Sequence, residues 1–335
     1  SSRYEVDRWT AFVQWSEMLI VCRAAFGTVK ALRTALAQGA NPAVLLVASF
    51  VLLISLGTAM LMLPACRAGA DAEGTGAPFV TALFTATSAS CVTGLIVEPT
   101  GTYWSDTGHV VILALFQIGG LGIMTYGAFF AVAAGRNVNL KEFSTLRELL
   151  ASEGLGDARR LLLTIVGCTF GIEFAGAVAL AGLWPEEPLL TRTWMALFHS
   201  VSAFCNAGFA LTDDSFVGLG DRWQVWGALA ILIILGGLGF STLNDATVWL
   251  RTRLFERGTR LQKYSPRPSR LALTSRLSIL TSIWLLTGGT LLLFVLEGIG
   301  ARRGDGADLS VADAWFQSVT FRTAGFNTVD LGGLQ

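Results

Sequence analysis

Ser88-Ala89-Ser90-Cys91-Val92-Thr93-Gly94-Leu95 returns in kind as Ser202-Ala203-Phe204-Cys205-Asn206-Ala207-Gly208-Phe209 and again as Val319-Thr320-Phe321-Arg322-Thr323-Ala324-Gly325-Phe326. From glycine to glycine the steps are 114 and 117 residues. Upstream, Phe84, Phe198 and Phe316 precede those glycines by ten, ten and nine residues, each inside a short apolar stretch. Downstream, Gly119-Gly120-Leu121-Gly122 is echoed by Gly236-Gly237-Leu238-Gly239. Recurrence at a fixed period marks one supersecondary unit used repeatedly.

The surroundings of the repeat are apolar. Of 335 residues, 53% are hydrophobic and 14% charged, against about 25% charged in soluble domains. About 20 apolar residues of helix cross a bilayer. Charge-free runs of that order cover 43–63, 110–134, 223–244 and 277–296, and a fifth, 161–184, is interrupted only by Glu173. No basic, then apolar, then small-residue cleavage pattern opens the chain, so the first span is expected to direct insertion. Between Arg251 and Arg276 stand eight Lys or Arg against the single acid Glu256, which assigns that loop to the cytoplasm. The 136–160 connection, with Arg136, Lys141, Arg147, Arg159 and Arg160, fits the same side. The opposite connections carry an acidic excess that includes Glu98, Asp106, Glu186, Glu187, Asp213 and Asp214, suited to concentrating cations at an outer mouth.

Two further uncharged stretches, 77–97 and 193–212, are nearly long enough to span, but counting the first as a crossing would place the two basic loops on opposite sides. Its many Thr and Ser residues and its terminal glycine suit a half-membrane helix followed by extended backbone. Irregular backbone at membrane depth is tolerated where it lines a watery cavity. The expected fold is therefore all-α and integral to the membrane, built from helix, re-entrant pore loop, helix units. Residues 1–40 read as an N-terminal arm, 41–134 as the first unit, 135–156 as an amphipathic cytoplasmic linker, 157–250 as the second unit, 251–270 as a basic cytoplasmic loop, and 271–335 as the first helix and pore loop of a third unit.

This arrangement suits cations. A pore that strips water from an ion must supply oxygens in its place, and backbone carbonyls do so without a titratable side chain. Glycine lets the backbone adopt positive φ and turn those carbonyls inward. Half-helices over 79–90, 193–204 and 311–321 would aim their partly negative C-terminal ends at the cavity below. An enzyme is not expected: neither His109 nor His199 comes with a nucleophile motif, and no phosphate-binding glycine loop occurs. Five cysteines, odd in number and mostly in apolar surroundings, do not form a disulfide framework, and two isolated histidines do not make a metal site.

These segments, with Phe116-Gln117-Ile118-Gly119-Gly120-Leu121-Gly122, resemble the Trk/Ktr/HKT potassium transporter superfamily, in particular its bacterial TrkH/KtrB-type membrane subunits, over residues 41–335. The resemblance implies four units around one pore, each giving one filter strand. Gly94, Gly208 and Gly325 match the filter glycines, and Val92, Thr93, Asn206, Ala207, Thr323 and Ala324 match positions whose carbonyls coordinate potassium. Cys91, Cys205 and Arg322 would support the strands from behind. Serine at the first filter position marks sodium-preferring plant relatives, so Gly94 favours potassium. The third unit's second helix, the gating loop in it and the whole fourth unit are expected beyond Gln335. The resemblance further implies potassium uptake in the bacterial plasma (inner) membrane, a homodimer and a cytoplasmic ring of nucleotide-binding subunits of the TrkA/KtrA type, with no role for nucleic acid. Potassium is the transported ion, and no other cofactor or metal is expected. Symport coupled to sodium or protons, or sodium permeation, stays open as an alternative.

Several residues carry two readings. Gly119, Gly120, Gly122, Gly236, Gly237 and Gly239 fit either hinges beneath the filter or close helix packing, the commoner use of such clusters. Glu173, ionisable inside a span, fits ion coupling or a hydrogen-bonded structural carboxyl. Arg322, a cation within a cation pore, fits a brace aimed behind the filter better than a gate.

Overall fold

The computed structural model describes residues 42–68, 75–133, 155–240, 242–243, 246–247, 273–303 and 309–329, with single positions 23, 26, 27, 30 and 249. The linker 135–156 is described only from 155 onward. The basic loop 251–270 lies outside the described residues, as does most of the N-terminal arm. Nine α-helices occur among the described residues: α1 Pro42–Leu61, α2 Phe79–Ser90, α3 Thr100–Tyr103, α4 Asp106–Ala133, α5 Leu155–Leu180, α6 Leu189–Cys205, α7 Ala230–Leu238, α8 Leu273–Arg303 and α9 Val311–Thr323. No β-strand is formed among them; Arg67 and Trp104 make one isolated antiparallel bridge. This all-helical make-up fits the membrane fold expected from the sequence. Among the described residues, Leu163–Leu180 in α5 and Ser275–Leu296 in α8 are long and apolar enough to cross a bilayer.

The helices fall where apolar runs and breakers direct them. Pro78 and Pro188 stand just before α2 and α6, where a missing N–H costs nothing. Ser310 caps α9 by accepting from the Asp313 amide at 3.1 Å, while its own hydroxyl donates to the Asp313 carboxylate at 2.7 Å. One expected span differs. The stretch 223–244 is not a continuous α-helix: it opens with a π-helical turn, Gln224–Leu229, continues as α7, and stops at Gly239, whose φ of 77° and ψ of 153° leave the helical region. Helical backbone resumes at Phe240. A glycine inside an apolar run reads the same from sequence whether it packs a helix or breaks it.

Packing pairs each short helix with its neighbours: α2 against α1 and α4, α6 against α5, α4 and α7, and α9 against α8 and α7. Between helices in lipid the driving force is close packing rather than water exclusion. Glycine supplies that closeness: a Cβ on Gly119 would lie 2.0 Å from the Ser90 carbonyl oxygen, and one on Gly236 would lie 1.8 Å from that of Phe204. An aromatic chain joins the first two short-helix regions, with Phe116 stacked on Phe209 and edge-on to Phe198. It is continued by His199 on Trp184 and by Phe216 on Phe326. Each such pair contributes about 0.5–1.5 kcal/mol beyond its buried area. The outer face of α8 stays apolar and uncovered, with Leu277, Ile283, Trp284 and Leu291 exposed, as a helix bathed in acyl chains requires.

Candidate cation-filter site

Two glycines of the repeat meet, and the third follows directly on Ala324, which lies against the second. Gly94, Gly208 and Gly325 have φ of 77°, 73° and 80°, the region that glycine enters without a steric penalty. Gly94 lies against the second strand: a Cβ there would sit 2.7 Å from the Ala207 carbonyl oxygen and 3.2 Å from the Gly208 Cα. Gly208 lies against both neighbours, its added Cβ 3.2 Å from the Gly94 Cα and 2.2 Å from the Ala324 carbonyl oxygen. Beside Gly325 the same construction meets nothing within 4 Å. Thus Gly94, Ala207, Gly208 and Ala324 form a chain of neighbours across a sequence separation of 230 residues.

Each glycine follows the C-terminus of a short helix. After α2, Val92 takes φ 55° and the Thr93 amide bonds back to the Ser88 carbonyl at 2.8 Å. After α6, Asn206 takes φ 60° and the Ala207 amide bonds to the Ser202 carbonyl at 2.7 Å. These are left-handed C-caps with the long return hydrogen bond of a Schellman turn. Asn tolerates that conformation; for β-branched Val92 it is a genuine outlier. After α9 the turn differs: Ala324 keeps a helical φ of −90°, while the Gly325 amide reaches the Thr320 carbonyl at 3.2 Å. The left-handed Val92 and Asn206 had no signal in composition. Their equivalent positions two residues before a glycine became informative only with the backbone in view.

The strands are held from several sides. Thr323 Oγ1 donates to Asn206 Oδ1 at 2.5 Å, tying the third strand to the second. Ser202 Oγ donates to the Phe209 carbonyl at 2.8 Å. His199 uses both ring nitrogens: Nδ1 meets the Met195 carbonyl at 2.7 Å, and Nε2 accepts from the Leu211 amide at 3.1 Å, which fixes one neutral tautomer. Past Gly325, the Phe216 amide donates to the Asn327 carbonyl at 2.8 Å and the Asn327 amide to Ser215 Oγ at 3.1 Å. Thr102 Oγ1 links to the Asp213 carboxylate at 3.3 Å between the loops assigned outward.

The supporting residues separate in role. Cys91 is exposed, whereas Cys205 is packed against α4, where a Cβ on Gly120 would lie 2.9 Å from its sulfur. Arg322 Nη1 donates to Ser282 Oγ on α8 at 2.9 Å, and its Nη2 occupies the place of a Cβ on Gly237, 2.1 Å away. The guanidinium therefore runs between α7 and α8. Gly122 is buried on α4. Glu173, 1% exposed, accepts from Gln117 Nε2 at 3.1 Å, an interaction across helices that spacing along the chain did not disclose. Four cysteines among the described residues are free, and no group of three or more metal-ligating side chains occurs among those residues.

The C-termini of three short helices lead into turned segments, among which Gly94, Ala207, Gly208 and Ala324 are closely opposed. The chain matches the model of the TrkH family, described as cation transport proteins, over residues 18–335, and it belongs to that family. It is 36% identical over 301 residues to the Ktr system potassium uptake protein B of Vibrio alginolyticus, covering 88% of this chain and 61% of that one. To the protein of the same name from Bacillus subtilis it is 34% identical over 300 residues, covering 88% and 62%. To the potassium/sodium uptake protein NtpJ of Enterococcus hirae it is 34% identical over 294 residues, covering 87% and 60%. The chain thus spans about three fifths of the length of these relatives, all named as transport proteins.

Proposed function

We propose that this protein takes up potassium across the bacterial plasma membrane through a pore whose filter is lined by backbone carbonyls at Val92, Thr93, Gly94, Asn206, Ala207, Gly208, Thr323, Ala324 and Gly325. The carrying observation is the mutual contact of Gly94, Ala207, Gly208 and Ala324, each strand leaving the C-terminal end of a short helix. Carbonyl oxygens replace the hydration of the ion, and three helix ends, each with up to about half a negative charge, stabilise it without a bound anion. The units 41–134, 157–250 and 271–335 each supply one strand, and a fourth strand beside Gly325, as the superfamily resemblance implies, closes the ring. The role is conduction rather than catalysis, with potassium as cargo.

The protein works with cytoplasmic nucleotide-binding subunits, a reading for which the word "system" in the names of the Ktr relatives speaks, and as a homodimer, as the superfamily resemblance implies. The break at Gly239 supplies a hinge at the end of α7, while Gly119, Gly120, Gly236 and Gly237 serve close packing. The name of the Enterococcus hirae relative joins sodium to potassium, so sodium entry is the second reading. Growth of a potassium-uptake-deficient bacterial strain carrying the full-length gene for this protein, beside Gly94→Ser, separates them. Rescue at low potassium that turns sodium-sensitive in the variant supports the potassium filter; rescue absent with well-expressed protein and its regulatory subunit overturns it.

A further inference from the structure

Directly behind the second candidate strand, three side chains from three helices close a triangle. Gln117 on α4 donates through Nε2 to Glu173 Oε2 on α5 at 3.1 Å. The Cys205 thiol, at the end of α6, lies 3.4 Å from Gln117 Oε1 and 4.0 Å from Glu173 Oε1. The Glu173 backbone carbonyl also accepts from Ser200 Oγ on α6 at 2.6 Å. Three residues along α4 from Gln117, Gly120 presses on Cys205 from another side. The sulfur is thereby confined, and the next residue in the chain is the left-handed Asn206.

A buried carboxyl is a poor way to gain stability, since apolar side chains of equal volume often do as well or better. What it adds is direction. Hydrogen bonds with angular requirements locate the end of α6 relative to α4 and α5 more sharply than dispersion contacts do. We infer that Glu173 and Gln117 are positioning residues for selectivity: by fixing Cys205 they set where the carbonyls of Asn206 and Ala207 stand, and so how well the filter distinguishes potassium from sodium. This rests on the proposed potassium filter. Glu173 Oε2 accepts from the Gln117 amide and Oε1 faces the Cys205 sulfur, whose single proton has Gln117 Oε1 as its nearer acceptor, so the carboxyl is built into the brace, which assigns it there and not to ion coupling.

The exchange of the pair tests this. Full-length protein is reconstituted into vesicles, and the ratio of potassium to sodium flux is measured for wild type, Gln117→Glu, Glu173→Leu and the double variant Glu173→Gln with Gln117→Glu. Gln117→Glu sets two carboxyls face to face and is expected to lower the ratio at least fivefold while cation flux persists; Glu173→Leu, which removes the acceptor of the Gln117 amide, acts in the same direction. The double variant restores one acid and one amide with places exchanged and is expected to recover most of the loss. Cys205→Ser, which keeps a donor, retains more selectivity than Cys205→Ala, and supplies a reading should Gln117→Glu fail to fold. Wild-type ratios in all folded variants, or no recovery on exchange, overturn the inference alone; wild-type protein that moves no potassium overturns the filter reading on which it rests.

Discussion

Adding one methyl group at Gly208 separates two costs carried by the glycines of the proposed filter. Its φ of 73° lies where an L side chain is unfavourable by roughly 1–2 kcal/mol. Gly218, in the loop after α6, has φ 78° and open space where a Cβ would go, so Gly218→Ala carries that strain alone. Gly208→Ala carries a collision as well. The new Cβ would stand 2.2 Å from the Ala324 carbonyl oxygen, and ordinary contact begins near 3.4 Å, so the strands must separate by about 1.2 Å. A carbonyl oxygen with about half a charge, moved that far from an ion about 3 Å away at an effective dielectric near 20, gives up about 0.8 kcal/mol, a roughly fourfold loss of ion binding. Flux measured on full-length protein in vesicles should show a half-saturating potassium concentration about fourfold higher or more in Gly208→Ala, with weaker discrimination against sodium. Gly218→Ala should match wild type in both. Equal effects from the two substitutions would refute the contact argument, and wild-type kinetics in Gly208→Ala would refute the placement of the Ala324 carbonyl beside it.

Gly236→Ala should lower thermal stability in detergent by about 1–3 kcal/mol through overpacking, because its Cβ would meet the Phe204 carbonyl oxygen at 1.8 Å, whereas Gly288→Ala, with nothing within 4 Å, should not; unchanged stability in Gly236→Ala with altered opening would favour a hinge there. His199→Ala leaves the Leu211 amide without its ring acceptor and is expected to cost about 1–3 kcal/mol, read by thermal melting, with His199→Gln less severe. Cys66, outside the spans, is buried, and burial pushes its thiol above the ordinary range. Since the thiolate is the reactive form, maleimide labelling of folded protein at neutral pH should spare Cys66 while modifying exposed Cys91, and Cys66 should react only at strongly alkaline pH or after unfolding. Rapid labelling of Cys66 at pH 7 would contradict that burial.

How far the sequence discloses this molecule depends on the kind of constraint involved. Positive φ at Gly94, Gly208 and Gly325 is a demand on the backbone that only one residue type meets cheaply, so it leaves a mark visible in a single chain and repeated with the unit. The half-helices were legible for the same local reason: the 79–90 segment is helical at the expected bounds, and the other two extend only slightly beyond theirs. The π turn at Gln224–Leu229 left no such mark, because a shift of one residue in hydrogen-bond register uses the same apolar side chains as an α-helix. Arg322 reads as a brace because a cation within a cation path is self-defeating and the superfamily resemblance places an Arg there, with loop carbonyls or an acid as the expected partners. Its partners, Ser282 and the notch at Gly237, lie 40 and 85 residues away and could not be named in advance.

Glu173 and Gln117 carry that distinction furthest. One is an ionisable group inside a span, the other part of a glycine motif, and their 56-residue separation gives no hint of a contact. What joins them is the approach of α4, α5 and α6, made possible by a chemically unrelated residue, Gly120, which lets α4 sit against Cys205. A small residue at one position thus sets the distance over which a carboxyl and an amide at two others can bond. The backbone conformation of the strands is prescribed locally and survives in the sequence as glycine. Their spacing is prescribed by contacts behind them; under the proposed filter reading that spacing decides which ion the carbonyls suit, and substitutions there should change selectivity before they abolish conduction.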